Sequence, residues 1–367
     1  MLLRIFAMLI VMVAAPCGLP AEERRGLRAF VVGINEYPAF DASAQLRSAV
    51  KDAEDIATDL RTLGFTVDGP FPNAELATLL DGWRKFLDKL QPGDVAVVYF
   101  SGHGFEAAGE NYLLPKDLPA LPTDKKARRD MLSRRAIALS QWIVGASQSG
   151  SDEADGIAKL SQRFFDEKKD GVHAVFIIDA CRVRPDKGTK MIPMEGAGLT
   201  PPPVPGGTFI LYAAEAGKPA LDTLGPQDRD ANSVFTRELR IYLKPENAKK
   251  YSLTSIAEVL KQQVYAKAQT RMDDKGNPIP SDQTPAFYHG FRKPRTLLGD
   301  ERNPLEAPVT AAAEQRPEQE NLAIAANFSA TKSLLEAGSR LQGWLDPSCP
   351  DCPPLTLIPE APEKGIK

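Results

Sequence analysis

One histidine and one cysteine in this chain sit where nucleophilic chemistry would need them. His103 lies in Ser101-Gly102-His103-Gly104 and Cys181 in Asp179-Ala180-Cys181-Arg182, each just after a run of apolar residues. Hydrolysis through a thiol requires an activatable sulfur, an imidazole to carry protons, and N–H donors for the oxyanion that forms. The glycines beside His103 let the backbone turn sharply. The Gly104 amide can approach a carbonyl oxygen unhindered, and the Cys181 amide is the natural second donor. Taken singly, His103 reads as a polar loop residue and Cys181 as a buried structural thiol. Taken together, in a chain with only three histidines, they read as a catalytic pair. Of the other two, His173 opens an apolar run and is expected to be exposed at the far end of a sheet. His289, in PAFYHGF, is expected to be a surface or packing residue.

The elements that must bring this pair together follow from periodicity. LRAFVVGINEYP reads as a buried strand running into a loop, and LRSAVKDAEDIATDLRTLGFTV as an amphipathic helix stopped by Gly64, with a strand from near Phe65. A second helix is expected over 73–90. DVAVVYFSGHG, VHAVFIIDACR and GTFILYAAEAG are three continuous apolar runs of the kind buried on both faces of a sheet, and 252–268 is a further helix. Strands alternating with helices predict a mostly parallel α/β sheet. Ligands bind outside the carboxyl ends of such strands, which is where His103 and Cys181 both fall.

Composition sets the outer bounds. The chain has 367 residues, 43% hydrophobic and 25% charged, with a formal net charge of −3, so a nucleic-acid partner is not expected. The opening MLLRIFAMLIVMVAAPCGLPAEE has the layout of a secretory signal, with residues 1–21 removed on export to the periplasm or medium. Cys17 also invites a lipid-anchor reading, against which Pro16 weighs. Without Cys17 the exported chain keeps three cysteines. Cys349 and Cys352 form a C-x-x-C, which leaves Cys181 unpaired and in need of a role. Residues 22–294 are expected to form the folded domain, and 295–367 a Pro-rich, largely disordered tail. The CPDC of that tail lacks the second pair of a zinc site and the βαβ setting of a redox motif. Its surroundings resemble the opening of a sulfatase-modifying-factor-like domain.

With these motifs in place, the chain resembles the caspase-like cysteine peptidases of clan CD, nearest the bacterial metacaspase-like (orthocaspase) branch. The resemblance spans about 27–291 and rests on AFVVGINEYP, LRSAVKDAEDIATDLRTLGF, PGDVAVVYFSGHG, NYLLPKD, VFIIDACR, GTFILYAAEAGKPALD and NSVFTRELRIYL. It implies a caspase-like α/β fold, with a mostly parallel six-stranded sheet flanked by helices on both faces. It implies an endopeptidase acting through a thioester, with His103 as proton carrier, Cys181 as nucleophile, and the Gly104 and Cys181 amides as oxyanion hole. No third catalytic residue, cofactor or metal is implied. Calcium activation is known in some metacaspases, and no acidic cluster here can be assigned to it. The alternative is a non-catalytic caspase-like interaction module.

Specificity follows from the same resemblance. Metacaspases carry aspartate two residues before the cysteine, as Asp179 stands here, and use it in an acidic pocket for Arg or Lys. A carboxylate suits a guanidinium through charge-assisted hydrogen bonds; the plainer reading is that Asp179 caps a neighbouring amide. Asp41 and Asp222 are the candidates for a second pocket acid. Tyr212, Ala213 and Ala214 stand where the family pairs its sheet edge with the substrate backbone, or else simply pack. The segment 118–171 is longer than in animal caspases. It reads as a surface insertion, or as a cover or processing site given Arg128-Arg129 and Arg134-Arg135. The Pro-rich loop 184–205 lies where caspases are often cut into two subunits. Partners are expected to be protein or peptide substrates, with no stable membrane insertion once the signal is removed.

Overall fold

The computed structural model describes residues 25–144, 171–180, 204–215 and 218–301. The export signal expected at 1–21, Cys181, the acidic stretch 151–155, the loop residues 184–203, and the tail with Cys349 and Cys352 lie outside them.

The chain opens with β1 (Leu27–Gly33), α1 (Ala49–Thr62), β2 (Thr66–Pro72), α2 (Leu76–Leu87) and β3 (Val95–Gly102). A small excursion follows: β4 (Gly104–Ala107), β5 (Glu110–Leu113), α3 (Lys125–Arg135), β6 (Ile137–Ala138) and α4 (Leu139–Ile143). The sheet resumes with β7 (His173–Ala180) and β8 (Thr208–Tyr212). Then come α5 (Val234–Tyr242), α6 (Pro245–Ala248), α7 (Leu253–Ala268) and β9 (Ala286–His289). The strand order is β2-β1-β3-β7-β8-β9, parallel except for the antiparallel β8–β9 pair. β4, β5 and β6 form a separate antiparallel sheet.

The continuous apolar runs exist because both sheet faces are covered. On β3, Ala96, Val98 and Phe100 point into a core with α2 and α4, while Val95, Val97 and Tyr99 point into one with α1, α5 and α7. Phe30 centres the first core, its ring 5.0 to 5.6 Å from those of Phe71, Trp83, Phe86 and Trp142. The same alternation on β7 sends Phe176, Ile178 and Ala180 to the first core and Val175 and Ile177 to the second. Asp179 therefore faces α1 and α5.

The base of the sheet, at the strand starts, is tied by Asp94. Its carboxylate accepts from the Gly26 amide, Arg28 Nε and the Gln91 amide at 2.9–3.1 Å. Removing a buried acceptor strands its donors. Asp94→Ala is expected to cost about 2–3 kcal/mol in urea unfolding.

Two details depart from the sequence reading. His173 is buried, 5% exposed, because Phe291 from beyond β9 closes over it with ring centroids 6.2 Å apart. The ordered structure also runs past residue 294. Arg295 bridges to Glu301, and Leu297 is buried in the second core. His289 is exposed at the end of β9.

Candidate active site

Parallel register sets the site. Ser101 on β3 pairs with Asp179 on β7, and Gly102 with Ala180. His103 is the next residue after the first strand, and Cys181 is the next in sequence after the second.

His103 is buried, 8% exposed, and held from three sides. Its amide donates to the Tyr37 hydroxyl at 2.7 Å, and its carbonyl accepts from the Leu114 amide at 3.0 Å. Its Nε2 lies 2.6 Å from the Ala44 carbonyl oxygen. A carbonyl can only accept, so Nε2 carries the proton and Nδ1 is left as the basic nitrogen. Burial lowers the imidazole pKa, while the Ala44 bond and the Asp222 charge partly oppose it. A neutral imidazole with one fixed tautomer is what a general base requires.

The Ala44 carbonyl belongs to a short 3-10 turn, Ala42–Ala44. Gln45 pins this loop by accepting from the Tyr37 amide and donating to the Tyr37 and Phe40 carbonyls. Tyr37 itself packs its ring 4.5 Å from that of His103. A Cβ at Gly102 would fall 2.8 Å from the Tyr37 oxygen, so this approach requires glycine. Tyr37→Phe leaves the His103 amide buried without its acceptor. It is expected to cost about 1–3 kcal/mol of stability and to lower turnover, read from the melting temperature and kcat together.

Below the histidine lies a nest of acids. Asp179 Oδ2 accepts from the hydroxyls of Ser233 (2.5 Å) and Thr236 (2.8 Å), the N-cap and first turn of α5. Tyr99 supplies the outer end of this chain, its hydroxyl 2.6 Å from that of Thr236. Asp52, from the first turn of α1, is fully buried. It accepts from the Ser233 amide and Asn232 Nδ2 at 3.0 Å, and from Ser101 Oγ at 3.2 Å. Ser233 thus touches both carboxylates. Burial raises the pKa of each, and the Asp179 charge raises that of Asp52 further. Asp222 accepts from the Arg47 and Ser48 amides ahead of α1, and its charge is felt at both Asp179 and His103. Among the described residues no Arg or Lys forms an ion pair with Asp52, Asp179 or Asp222.

The remaining sequence candidates fall as follows. Asp41 is exposed at the start of the 3-10 turn. Gly104 opens β4, opposite Leu113. Tyr212, Ala213 and Ala214 are buried. The Ala213 amide donates to Ile178 and its carbonyl accepts from Gln283, so pairing a substrate there requires exchanging those bonds. Arg128-Arg129 and Arg134-Arg135 lie within α3, where Arg128 is buried and donates to the Pro122 and Thr123 carbonyls. Cleavage there requires the helix to unwind. The residues that sequence reasoning missed are Tyr37, Ala44, Ser101, Asp52 and Ser233. No group of three or more His, Cys, Asp or Glu among the described residues is placed to hold a metal.

The six-stranded, mostly parallel sheet flanked by helices on both faces is a caspase-like fold. The caspase-domain family (Peptidase_C14) matches residues 27–294, and the chain belongs to that family of cysteine peptidases. Two solved structures are similar. Caspase-1 from Spodoptera frugiperda is 13% identical, with 76% of this chain and 92% of that one covered and a TM-score of 0.48. A structure described as pro-sf-caspase-1 is 14% identical, with 80% and 98% covered and a TM-score of 0.46. No curated protein matches.

Proposed function

We propose that this chain is a cysteine endopeptidase of the metacaspase-like branch, using His103 and Cys181 and cleaving after Arg or Lys. The observation that carries this is the parallel register of Gly102 with Ala180, the residues that His103 and Cys181 directly follow in sequence. Neighbouring strands run about 4.8 Å apart, so the chain leaves toward His103 and toward Cys181 from adjacent strand ends.

His103 Nδ1 takes the Cys181 Sγ proton, and the thiolate attacks the carbonyl carbon. The Gly104 and Cys181 amides face the oxygen that becomes charged. The imidazolium then gives its proton to the leaving amine, and the acyl group stays on sulfur as a thioester. Water, deprotonated by His103, releases the acid and restores the thiol. The basic side chain before the scissile bond sits against Asp179 and Asp52. Two buried acids with no cation of their own favour binding one.

Residues 1–21 serve as an export signal in this reading, and the substrates are proteins or peptides rather than nucleic acid. Among the described residues no helix is long and apolar enough to cross a membrane. The test is turnover by the exported chain of fluorogenic peptides ending in Arg, Lys or Asp, with and without calcium, beside Cys181→Ala. Equal rates from both proteins would leave the interaction-module reading in its place, and turnover only after Asp would remove the acidic pocket.

A further inference from the structure

Asp222, one of the two candidates for a second pocket acid, has its carboxylate already engaged. Oδ2 accepts from the Arg47 amide at 2.9 Å, and Oδ1 from the Ser48 amide at 3.0 Å and from the Ser48 hydroxyl. Each oxygen takes its own backbone amide, and a carboxylate suits this place because it has no N–H to turn against either donor. The acid also stands before the first turn of α1, where the helix dipole favours negative charge. These partners lie 174 and 175 residues from it in sequence, so the bonds join two parts of the chain that nothing local brings together.

What the carboxylate holds is the exit of the loop that positions His103. At the entry, the Ile34 amide donates to the Ser101 carbonyl of β3, and the Asn35 amide donates to Asn73 Oδ1. Midway comes Ala44, whose carbonyl accepts from His103 Nε2. Gln45 bonds to Tyr37, Phe40 and Asp41, all within the loop. The exit is Arg47 and Ser48, on Asp222. Asp222 is fixed in its turn to the sheet and to α5. The adjoining Leu221 amide donates to Gln283 Oε1, and Gln283 Nε2 donates to the Ala213 carbonyl just past β8. The Leu221 carbonyl accepts from the Val234 amide, and Gln283 is fully buried.

We propose that Asp222 is a positioning residue for His103, strapping the loop that carries the Ala44 carbonyl to the end of β8 and so holding the imidazole in its working orientation. Its negative charge also favours the imidazolium that forms when the ring takes the thiol proton. The effect on rate rests on the proteolysis reading; the effect on the ring does not.

The test follows the His103 ring by NMR in the full chain carrying Cys181→Ala. The Nε2–H signal is expected to be resolved, because that proton is buried against the Ala44 carbonyl. Asp222→Asn puts an N–H against one of the two amide donors. There the signal is expected to broaden by exchange with solvent, while the ring of His173, buried at the other end of the sheet, is unchanged. Ser48→Ala, which removes the hydroxyl donor alone, should give the same change in smaller degree, and Asp222→Glu, which keeps both oxygens, should return the signal. An unchanged His103 ring in Asp222→Asn and Ser48→Ala overturns the strap. Equal changes at His173 do so too, since they report general loosening. In the active chain, Asp222→Asn is expected to lower kcat on Arg peptides about tenfold, with KM changed less than about twofold. A raised KM with kcat intact makes Asp222 a pocket acid and overturns the proposal. A broadened Nε2–H signal in a chain that cleaves no peptide keeps the strap and counts against proteolysis.

Discussion

Replacing His103 with alanine is expected to lower kcat/KM on Arg peptides by about 10²–10⁴-fold, and Cys181→Ala to abolish turnover. The histidine's value lies in the arrangement around it. The Ala44 carbonyl fixes the proton on Nε2, leaving Nδ1 basic, and burial keeps the ring neutral below the ordinary imidazole range. Because the imidazole pKa is lowered, the base form persists to more acid pH than in a free imidazole. The acid limb of kcat is therefore expected below pH 6.5, and a limb at or above that value would contradict the burial of this ring. The loop carrying Ala44 is held by Gln45 rather than by the sheet. Gln45→Ala is the companion variant, expected to move the acid limb while leaving the thiol in place.

Asp179→Asn is expected to lower kcat/KM for Arg and Lys peptides by about 10²-fold, since truncating one partner of a buried charge pair costs about 2–5 kcal/mol. Asp52→Asn should act in the same direction, and the two together less than additively because Ser233 joins them. The free protein should respond the opposite way. Both carboxyls have raised pKa values, so the folded chain holds protons that the unfolded chain gives up as pH rises from about 4. That linkage favours the folded state at low pH and is lost as pH rises through the raised values. Asp179→Asn removes the cost of ionisation. Its melting temperature should match the parent near pH 4 and exceed it by a few degrees at pH 8. A variant with less activity and less stability at pH 8 would mean that Asp179 only holds α5.

How far the sequence foretold this arrangement differs by element. β3 and β7 were legible because strands buried on both faces must be continuously apolar, and VAVVYF and AVFII have no other stable use. Parallel order then placed the two motifs at one edge. Asp52 was not legible: an aspartate in the first turn of an amphipathic helix reads as a solvated, dipole-favoured residue. Its burial depends on Asn232 and Ser233, which arrive from 180 residues downstream. The Ala44 carbonyl and the Tyr37 hydroxyl left no trace either, since a backbone oxygen has no residue type and a tyrosine beside proline reads as loop. His173 was misplaced because nothing local announces that Phe291 will cover a strand start. Of the two guesses for a second acid, Asp222 is the one whose charge reaches Asp179; Asp41 stands in solvent.

The turn at 295–301 closes against the sheet base. Arg25 Nη1 donates to the Gly299 carbonyl at 2.9 Å, and a Cβ at Gly299 would meet Val95, the first residue of β3. Arg25 is thus joined to Gly299 and Asp300 at the end of the strands opposite His103. With seven or eight residues per central strand at about 3.3 Å each, that separation is about 25 Å. The first and last described stretches thus hold the floor under β3, a full strand length from His103.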